Sequence, residues 1–401
     1  VVVLFTGAPA RFPPAVRAHY SSNLTKLPAL IARGAVGVIS VQTPEDQKRT
    51  PWERLVQQSW RSRLAWVEGD GEPNGAFTAL RVRASMNPAR AAVLFDGSGM
   101  TLEQAFGNAE AGKAQGVDLV VSVESERRSV IRRKASENVV GLLPGSDPRL
   151  NDEYVVVSAH LDHVGKGAPI GGDAIYNGAL DNASGIAVML ETARRLASLP
   201  QRPRRSVLFV AVTAEESGLQ GSDYFVQHPT VPRESMVANI NIDMPVALAP
   251  LADVTAFGAE HSSLGEVVAR AAAAEGVVVS PDTQPEEVIF VRSDQYSFVR
   301  AGIPALYVDE GQRSSDPTQD LAGRIEAFRK DRYHQPGDDL SQAIHWPSLA
   351  MLARLNARVI VDVANADERP RWNTGNFFGE TFAKPQGEAA SHRSSQLSSS
   401  R

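Results

Sequence analysis

Two adjacent glutamates, Glu215 and Glu216, stand directly behind an apolar run, "SVLFVAV", that is typical of a buried strand. Neighbouring carboxylates repel each other and gain nothing from burial. A positive charge must therefore lie close to them if the folded chain is to tolerate this arrangement.

Other strand-like runs also end in residues that can bind metal. The run "YVVVSA" leads into His160 and Asp162, and "VANINI" leads into Asp243. In an open α/β sheet, ligands bind beyond the carboxyl ends of the strands, so we expect these residues to converge with the two glutamates. The 401 residues include no cysteine, which leaves His, Asp and Glu as metal ligands. The pattern therefore predicts a site for divalent cations, whose charge neutralises the glutamates.

Asp162 has a second possible role at this site, and two further residues are candidates for it. A metal-bound imidazole is oriented when its second ring nitrogen donates to a carboxylate, and we expect the carboxylate of Asp162 to orient His160 in this way. Asp181 in "GALDNASG" and His334 in "YHQPGDD" are further candidate ligands. Taken alone, Asp181 is also typical of a helix N-cap, and His334 of an exposed turn.

From residue 135 onward, apolar β-branched runs alternate with helical patterns. Two stretches, "GIAVMLETARRLAS" and "SSLGEVVARAAAAEG", repeat apolar residues at helical spacing. Strands that are apolar on both faces and alternate with helices indicate a mostly parallel sheet that is covered on both sides. We therefore predict an α/β fold, a three-layer sandwich around a mostly parallel sheet.

The ends of the chain have different patterns. Residues 1–118 combine short strand-like runs with alanine-rich helical stretches, one of which ends at Gly34 before "AVGVISV". We predict a smaller, β-rich domain over residues 1–118 and the α/β domain over residues 119–370. Residues 371–401 are polar and serine-rich, which predicts a disordered tail.

Composition argues against several other functions. A net charge of -5 gives no reason to expect nucleic acid or an anionic membrane surface as a partner. No run approaches the roughly 20 apolar residues that span a bilayer. The chain starts at Val1, inside a strand-like run, so we expect its natural start and any targeting signal to lie upstream. The sequence leaves the oligomeric state open.

Together, the motifs resemble the M28 family of zinc peptidases, in particular its bacterial co-catalytic aminopeptidases. The resemblance covers most of residues 135–345 and rests on "AHLDHVG", "GALDNASG", "TAEESGLQGS", "NIDM", "SDQYSFVRAGIPAL" and "YHQPGDD". Residues 1–118 resemble the protease-associated (PA) domain that is often inserted into such enzymes. The resemblance implies that an N-terminal part of the peptidase domain is missing from this chain.

The resemblance implies two Zn²⁺ ions per chain. Asp181 would bridge the ions, with His160 and Asp243 on one of them and Glu216 and His334 on the other. The resemblance also implies a cis peptide bond after the bridging aspartate, and a periplasmic or secreted protein.

The same resemblance implies roles for residues that do not bind metal. Glu215 would act as the general base toward a metal-bound water. Tyr333 would donate to the substrate carbonyl oxygen as the tetrahedral intermediate forms. We therefore expect a zinc-dependent exopeptidase, a metallo-aminopeptidase that hydrolyses the N-terminal bond of peptides with a free amino terminus.

Other functions stay open. Relatives with the same metal residues act as dipeptidases or carboxypeptidases on acidic peptides, for which Arg292 and Arg300 could bind the substrate carboxylate. Glutaminyl cyclases resemble this family and work with one zinc ion. A non-catalytic receptor or scaffold could keep the fold, although this sequence retains all six expected ligand and base positions.

The remaining candidates are interpreted as structural. Four histidines match no motif position and are expected to be surface or structural residues: His163, His228, His261 and His345. Asp294 is predicted to order a loop near the site rather than to bind metal. Asp338 and Asp339 are predicted to shape the turn at His334.

Overall fold

The computed structural model describes residues 1–383, except for residues 58, 60, 61, 70, 76 and 114 and the side chains at 57 and 286. The chain forms two compact units. The first comprises residues 1–135 and 284–291, and the second comprises residues 136–283 and the chain from residue 292 on. None of the described helices is long and apolar enough to cross a membrane.

The first unit contains a three-stranded parallel sheet. Its strands, in spatial order, are β1 (Val2–Phe5), β2 (Gly37–Val41) and β3 (Val82–Met86). Its described α-helices are α1 (Pro14–Ser21), α2 (Asn23–Ile31), α3 (Pro44–Arg49), α4 (Trp52–Gln57) and α5 (Leu102–Glu110), and a 3₁₀ helix spans Pro88–Phe95. The expectation of a β-rich domain is not met, because the alanine- and leucine-rich stretches form helices. The similarity to a PA domain stays a prediction.

The first unit extends beyond the predicted boundary after residue 118. Val117 and Leu119 pack against a core that includes Ile39 and Val41 of β2. Because these apolar contacts continue across the predicted boundary, the chain leaves the first unit only after Ala135.

The second unit contains a seven-stranded sheet with the order β11-β10-β12-β9-β5-β8-β4. The strands are β4 (Val139–Leu143), β5 (Tyr154–His160), β8 (Ser206–Val212), β9 (Met236–Asn241), β10 (Asp253–Phe257), β11 (Val278–Ser280) and β12 (Ala305–Glu310). The central strand β5 pairs in parallel with β8 and β9, and β9 pairs in parallel with β12. Antiparallel pairs, β4 with β8 and β10 with β12, occur toward the edges. A separate antiparallel hairpin consists of β6 (Gly165–Ile170) and β7 (Asp173–Tyr176).

Helices cover both faces of the larger sheet. They are α6 (Ser184–Ala197), α7 (Gln220–Gln227), α8 (Leu264–Ala274), α9 (Gln295–Arg300), α10 (Leu321–Asp331), α11 (Trp346–Asn365) and α12 (Phe377–Phe382). Val155 and Val157 of β5 belong to a core with side chains of α6, α8 and α11. Val156, which lies between them, belongs to a second core with Phe225 of α7 and Phe298 of α9. Since successive side chains of a strand point to opposite faces, the predicted three-layer α/β sandwich is confirmed.

Residues 371–383 are packed, so the predicted disordered tail begins too early. The indole Nε1 of Trp372 donates to the backbone oxygen of Gly302 at 3.0 Å. Phe378 of α12 is fully buried, and its ring lies near those of Trp372 and Tyr296. The aromatic residues of "WNTGNFFG" therefore fix this segment although its neighbours are polar. The rest of the predicted tail, from residue 384 on, lies outside the described residues.

We expect Phe378→Ala to lower the free energy of unfolding by about 3–5 kcal/mol, because the substitution leaves a cavity in place of a buried ring. Urea denaturation measures the change. Phe377→Ala is the matched control, since the neighbouring ring is partly exposed, and it should cost less. Equal small losses in both variants would contradict the packing of residues 371–383.

Candidate metal centre

Three neighbouring parallel strands end at the same edge of the larger sheet, with β5 between β8 and β9. His160 is the last residue of β5. Glu215 and Glu216 lie in a 3₁₀ turn shortly after β8, and Asp243 follows the end of β9. The strand order therefore brings these four side chains to one edge, where ligand sites of open α/β sheets are found.

Asp181 is the common neighbour of two imidazoles. It lies in the turn before α6, and its Oδ1 is 3.4 Å from His160 Nε2 while its Oδ2 is 3.1 Å from His334 Nε2. Each imidazole also contacts a second carboxylate. His160 Nε2 is 3.0 Å from Asp243 Oδ1, and His334 Nε2 is 3.0 Å from Glu216 Oε1. The structure thus brings together all five residues that we expected to bind metal.

The hydrogen bonding of His160 determines which ring nitrogen faces the carboxylates. Its Nδ1 lies 3.1 Å from the backbone oxygen of Asp162, which can only accept, so Nδ1 carries a proton and donates it. The other nitrogen, Nε2, faces oxygens of Asp181 and Asp243 that have no proton to give when ionised. This contact is stable only if Nε2 holds a proton or a cation. Burial opposes protonation, but the two carboxylates outweigh it and raise the pKa of His160 well above its usual value.

The donor atoms present here fit a zinc ion. The donor atoms of His160, Asp181 and Asp243 lie within 4.8 Å of one another. Oδ2 of Asp181 is buried and makes no hydrogen bond of good geometry with the described residues, although His334 Nε2 lies 3.1 Å away. Burial opposes its ionisation, but His160 and His334 lower the pKa of Asp181. An ionised, buried oxygen without a hydrogen bond is costly, and a cation held by imidazole and carboxylate ligands satisfies it.

The carboxylate of Asp162 has a different partner from the one we expected. It lies 3.8 Å from His160 Nδ1, which is too long for a hydrogen bond. Its two oxygens instead accept from the backbone N–H groups of Glu215 and Glu216, at 3.0 and 3.3 Å. The expectation that this carboxylate orients His160 is therefore wrong, because the backbone oxygen of Asp162 does so. The carboxylate holds the turn that carries the two glutamates.

Asn182 connects three parts of the site. Its side-chain Nδ2 donates to the backbone oxygens of His160 and Ile242, and its Oδ1 accepts from the backbone N–H groups of Gly185 and Met244. Gly185 must lack a side chain, because a Cβ there would lie 2.0 Å from this Oδ1. The buried amide thus uses both donors and its acceptor to hold the segments around three expected ligands together. The peptide bond before it, Asp181–Asn182, is cis, as the resemblance implies.

Asp338 fixes the backbone next to the shared carboxylate. It is fully buried, and its two oxygens accept from the backbone N–H groups of Leu180 and Asp181, each at 3.0 Å. Its backbone oxygen accepts from Ala179. Asp338 therefore joins the loop of His334 to the loop of Asp181, which is more than the shaping of its own turn that the sequence predicts.

Several site residues have strained backbone conformations. Three non-glycine residues with left-handed φ lie at the strand ends or in the ligand loops: Ala214 (55°) before Glu215, Met244 (42°) after Asp243, and His334 itself (57°). Such conformations cost roughly 1–3 kcal/mol each and persist where the surrounding contacts impose them. Here Asp162 accepts from the backbone N–H of Glu215, next to Ala214, and Asn182 accepts from the backbone N–H of Met244.

Tyr333 and Asp294 lie close to the candidate ligands. The ring of Tyr333 stacks on that of His334 with centroids 3.9 Å apart, and burial raises the pKa of Tyr333 well above its usual value. Asp294 is fully buried just before α9. Burial raises the pKa of Asp294 to about 7, with a smaller contribution from the carboxylates of Asp243 and Asp162.

Sequence reasoning missed one residue of the site, His163. Its Nδ1 lies 3.0 Å from Glu216 Oε1 and 3.7 Å from Asp181 Oδ2. The donor atoms of His163, Asp181 and Glu216 form a second group within 4.8 Å of one another. The available signal was its place in "AHLDH", three residues after His160 at the end of the same strand.

Known proteins resemble this chain. The profile of Peptidase family M28 matches residues 138–360, more than half of the chain. Aminopeptidase NAALADL1 of Mus musculus is 35% identical over 137 residues, which are 33% of this chain and 16% of that protein. Aminopeptidase YwaD of Bacillus subtilis (strain 168) is 32% identical over 129 residues, 31% of this chain and 26% of that protein. The solved structure of an aminopeptidase from Aneurinibacillus sp. strain AM-1 aligns with a TM-score of 0.48 and 18% identity, and covers 87% of this chain and 68% of that one. This chain thus spans well under two thirds of these two curated relatives.

Asn182→Ala should weaken zinc binding by about 10–100-fold, because ligand-bearing segments lose the group that holds them together. Competition with a chelator measures the dissociation constant. Asn239→Ala is the matched control, since Asn239 is equally buried but its amide donates to Val156 and Ser158 within the sheet. It should cost stability and leave zinc affinity near the wild-type value. Equal losses of zinc affinity would contradict the role of Asn182.

Asp294→Asn should change how stability depends on pH in the metal-free protein. A carboxyl with a raised pKa stabilises the fold while it is protonated, and this contribution is lost as pH rises from about 4 toward about 7. The wild type should therefore lose up to about 1.4 kcal/mol per pH unit over this window relative to the variant. Urea denaturation in chelator at several pH values measures the difference. Parallel curves for the two proteins would contradict the prediction.

Proposed function

Because the chain belongs to peptidase family M28, we propose that it is a zinc-dependent exopeptidase acting on the N-terminal bond of peptides with a free amino terminus. One observation carries the proposal: each carboxylate oxygen of Asp181 contacts an imidazole that has a further carboxylate of its own. Such an arrangement suits two cations that share one carboxylate, as in two-metal hydrolytic sites.

We propose two Zn²⁺ ions per chain. His160 and Asp243 would hold one, Glu216 and His334 the other, and Asp181 both. The three carboxylates would offset most of the charge of two divalent ions. When bound, the ions would polarise the scissile carbonyl and lower the pKa of water toward about 7.

Glu215 is the proposed general base. Burial raises the pKa of Glu215 well above its usual value against the opposing effect of His160, and the carboxylates of Asp243, Asp294 and Glu216 add to the rise. Cations close by would bring this pKa down again. Burial and the cations thus shift the pKa of Glu215 in opposite directions. With its pKa balanced in this way, Glu215 can accept a proton from the attacking water and return it to the leaving amine.

Tyr333 is the proposed donor to the substrate oxygen. A tyrosine hydroxyl is protonated at neutral pH at its usual pKa of about 10, and burial raises the pKa of Tyr333 further. Its stacking on His334 holds the ring beside the expected metal ligands. A donor at this place would stabilise the negative charge that develops on the carbonyl oxygen in the tetrahedral intermediate.

Action on acidic peptides would need a basic residue for the substrate carboxylate. Arg300 is already engaged, since it pairs with Asp223 at 2.6 Å and lies over the ring of Tyr296. Arg292 is exposed and close enough to Tyr333 to affect its pKa. Acidic peptides are therefore assayed as alternative substrates. Family resemblance also supports our proposal of a periplasmic or secreted enzyme.

Glu215→Gln should lower turnover of aminoacyl-nitroanilides by at least roughly a hundredfold, the scale for loss of a general base. Elemental analysis should find about two zinc ions per chain in both proteins, because Glu215 is not a proposed ligand. Glu103→Gln, which changes an exposed glutamate, is the control and should retain full activity.

The same assays separate the alternatives. Equal turnover in both proteins would remove Glu215 from the reaction. Release of C-terminal glutamate without nitroanilide hydrolysis would indicate a carboxypeptidase, and cyclisation of N-terminal glutamine would indicate a glutaminyl cyclase. A folded, zinc-loaded protein that acts on none of these substrates would indicate a scaffold.

A further inference from the structure

His163 is a buried imidazole that none of the roles above uses. Its side chain is 7% exposed, and its Nδ1 lies 3.0 Å from Glu216 Oε1 and 3.7 Å from Asp181 Oδ2. Neither ring nitrogen makes a hydrogen bond of good geometry with the described residues, although Nδ1 lies within hydrogen-bonding distance of Glu216 Oε1. A buried polar group without a hydrogen bond is costly and rare. The described side chains therefore leave this buried imidazole without a well-formed hydrogen bond, and a cation beside Glu216 would give it a partner.

The loop before Asp181 leaves room for this imidazole. Gly178 has a left-handed φ of 70°. A Cβ at this position would lie 2.5 Å from Cγ of His163 and 2.4 Å from the backbone oxygen of Asp181. Only glycine therefore allows the ring to pack against this loop. The backbone of the segment that carries Asp181 thus helps to fix the position of His163.

Two imidazoles face the same pair of carboxylate oxygens. His334 Nε2 lies 3.1 Å from Asp181 Oδ2 and 3.0 Å from Glu216 Oε1, which are the two oxygens that His163 approaches. The rings of His163 and His334 meet edge to face, with centroids 5.6 Å apart. A neutral imidazole offers a metal a second nitrogen donor without adding charge.

We propose that His163 is a zinc ligand together with His334, Asp181 and Glu216, an inference that rests on the proposed zinc-dependent function. The half of the site that contains Glu216 would then have four protein donors, as closed zinc sites do. The half that contains Asp243 would have three protein donors, as do zinc sites that keep a position open for water or substrate. The residues beside Glu216 would therefore hold a zinc ion more tightly than the residues beside Asp243 would.

The competing role for His163 is a hydrogen bond to Glu216 without binding zinc. His163→Gln separates the two roles, because a glutamine amide can donate a hydrogen bond but has no imidazole nitrogen for zinc. The full chain is stripped of metal with a chelator. Chelator competition then gives the dissociation constant of the tighter zinc site, and the visible spectrum is recorded after one equivalent of Co²⁺.

We expect His163→Gln and His163→Ala to weaken the tighter site by more than about a hundredfold, beyond the roughly 10–100-fold cost of losing a hydrogen-bond partner of a ligand. The Co²⁺ spectrum should also change, since one donor is lost. His228→Ala removes an exposed imidazole and should retain wild-type affinity and spectrum. A smaller loss in His163→Gln, or an unchanged Co²⁺ spectrum, overturns the proposal.

The experiment distinguishes this inference from the proposed function. A wild type that binds no zinc overturns the proposed function and the inference with it. A wild type that binds two zinc ions beside an unaffected His163→Gln variant overturns the inference alone. Circular dichroism of the metal-free variants checks folding, and His163→Gln decides the outcome if the alanine variant does not fold.

Discussion

The site depends on a concentration of buried carboxylates, each of which needs a positive or hydrogen-bonding partner. An ionised carboxylate is unstable in a protein interior unless it is paired or hydrogen-bonded. Asp162 and Asp338 meet this requirement with backbone N–H groups. Asp181, Asp243 and Glu216 face imidazole nitrogens instead. The backbone-bonded acids serve to position the loops, and the imidazole-facing acids remain able to bind a cation.

The positioning groups make one connected unit of several loops. Asp162 ties the end of β5 to the turn after β8. Asn182 ties the loop of the shared carboxylate to the ends of β5 and β9, and Asp338 ties that loop to the loop of His334. Supporting contacts of this kind are what hold metal ligands in register. They also offset the cost of the left-handed conformations at Ala214 and Met244, which lie beside the proposed base and a proposed ligand.

The sequence predicts most of these site residues, but it predicts their positions only up to the point where the strands end. Apolar runs predict β5, β8 and β9, and parallel neighbours must end at one edge, so the convergence of His160, Glu216 and Asp243 follows. Beyond the last strand residue, the alternation of side chains no longer applies. The carboxylate of Asp162 therefore turns toward the turn after β8 without a signal in the pattern. The imidazole of His163 turns toward Glu216, and its closeness to His160 in the sequence was the one signal for it. Likewise, the burial of Phe378 depends on contacts with residues far away in the sequence, which local polarity does not reveal.

The pKa shifts indicate how the same side chains can exist without and with cations. In the absence of cations, burial and neighbouring carboxylates favour the protonated forms of Glu215 and Asp294, while Asp181 and nearby carboxylates favour the protonated forms of His160 and His334. Protons on these groups thereby reduce the negative charge of the cluster. Cations that bind to the same oxygens and nitrogens must displace those protons, so metal binding, proton release and folding stability are linked. Without metal, the two glutamates behind β8 are thus tolerated because Glu215 and the imidazole beside Glu216 hold protons, and bound metal would replace those protons.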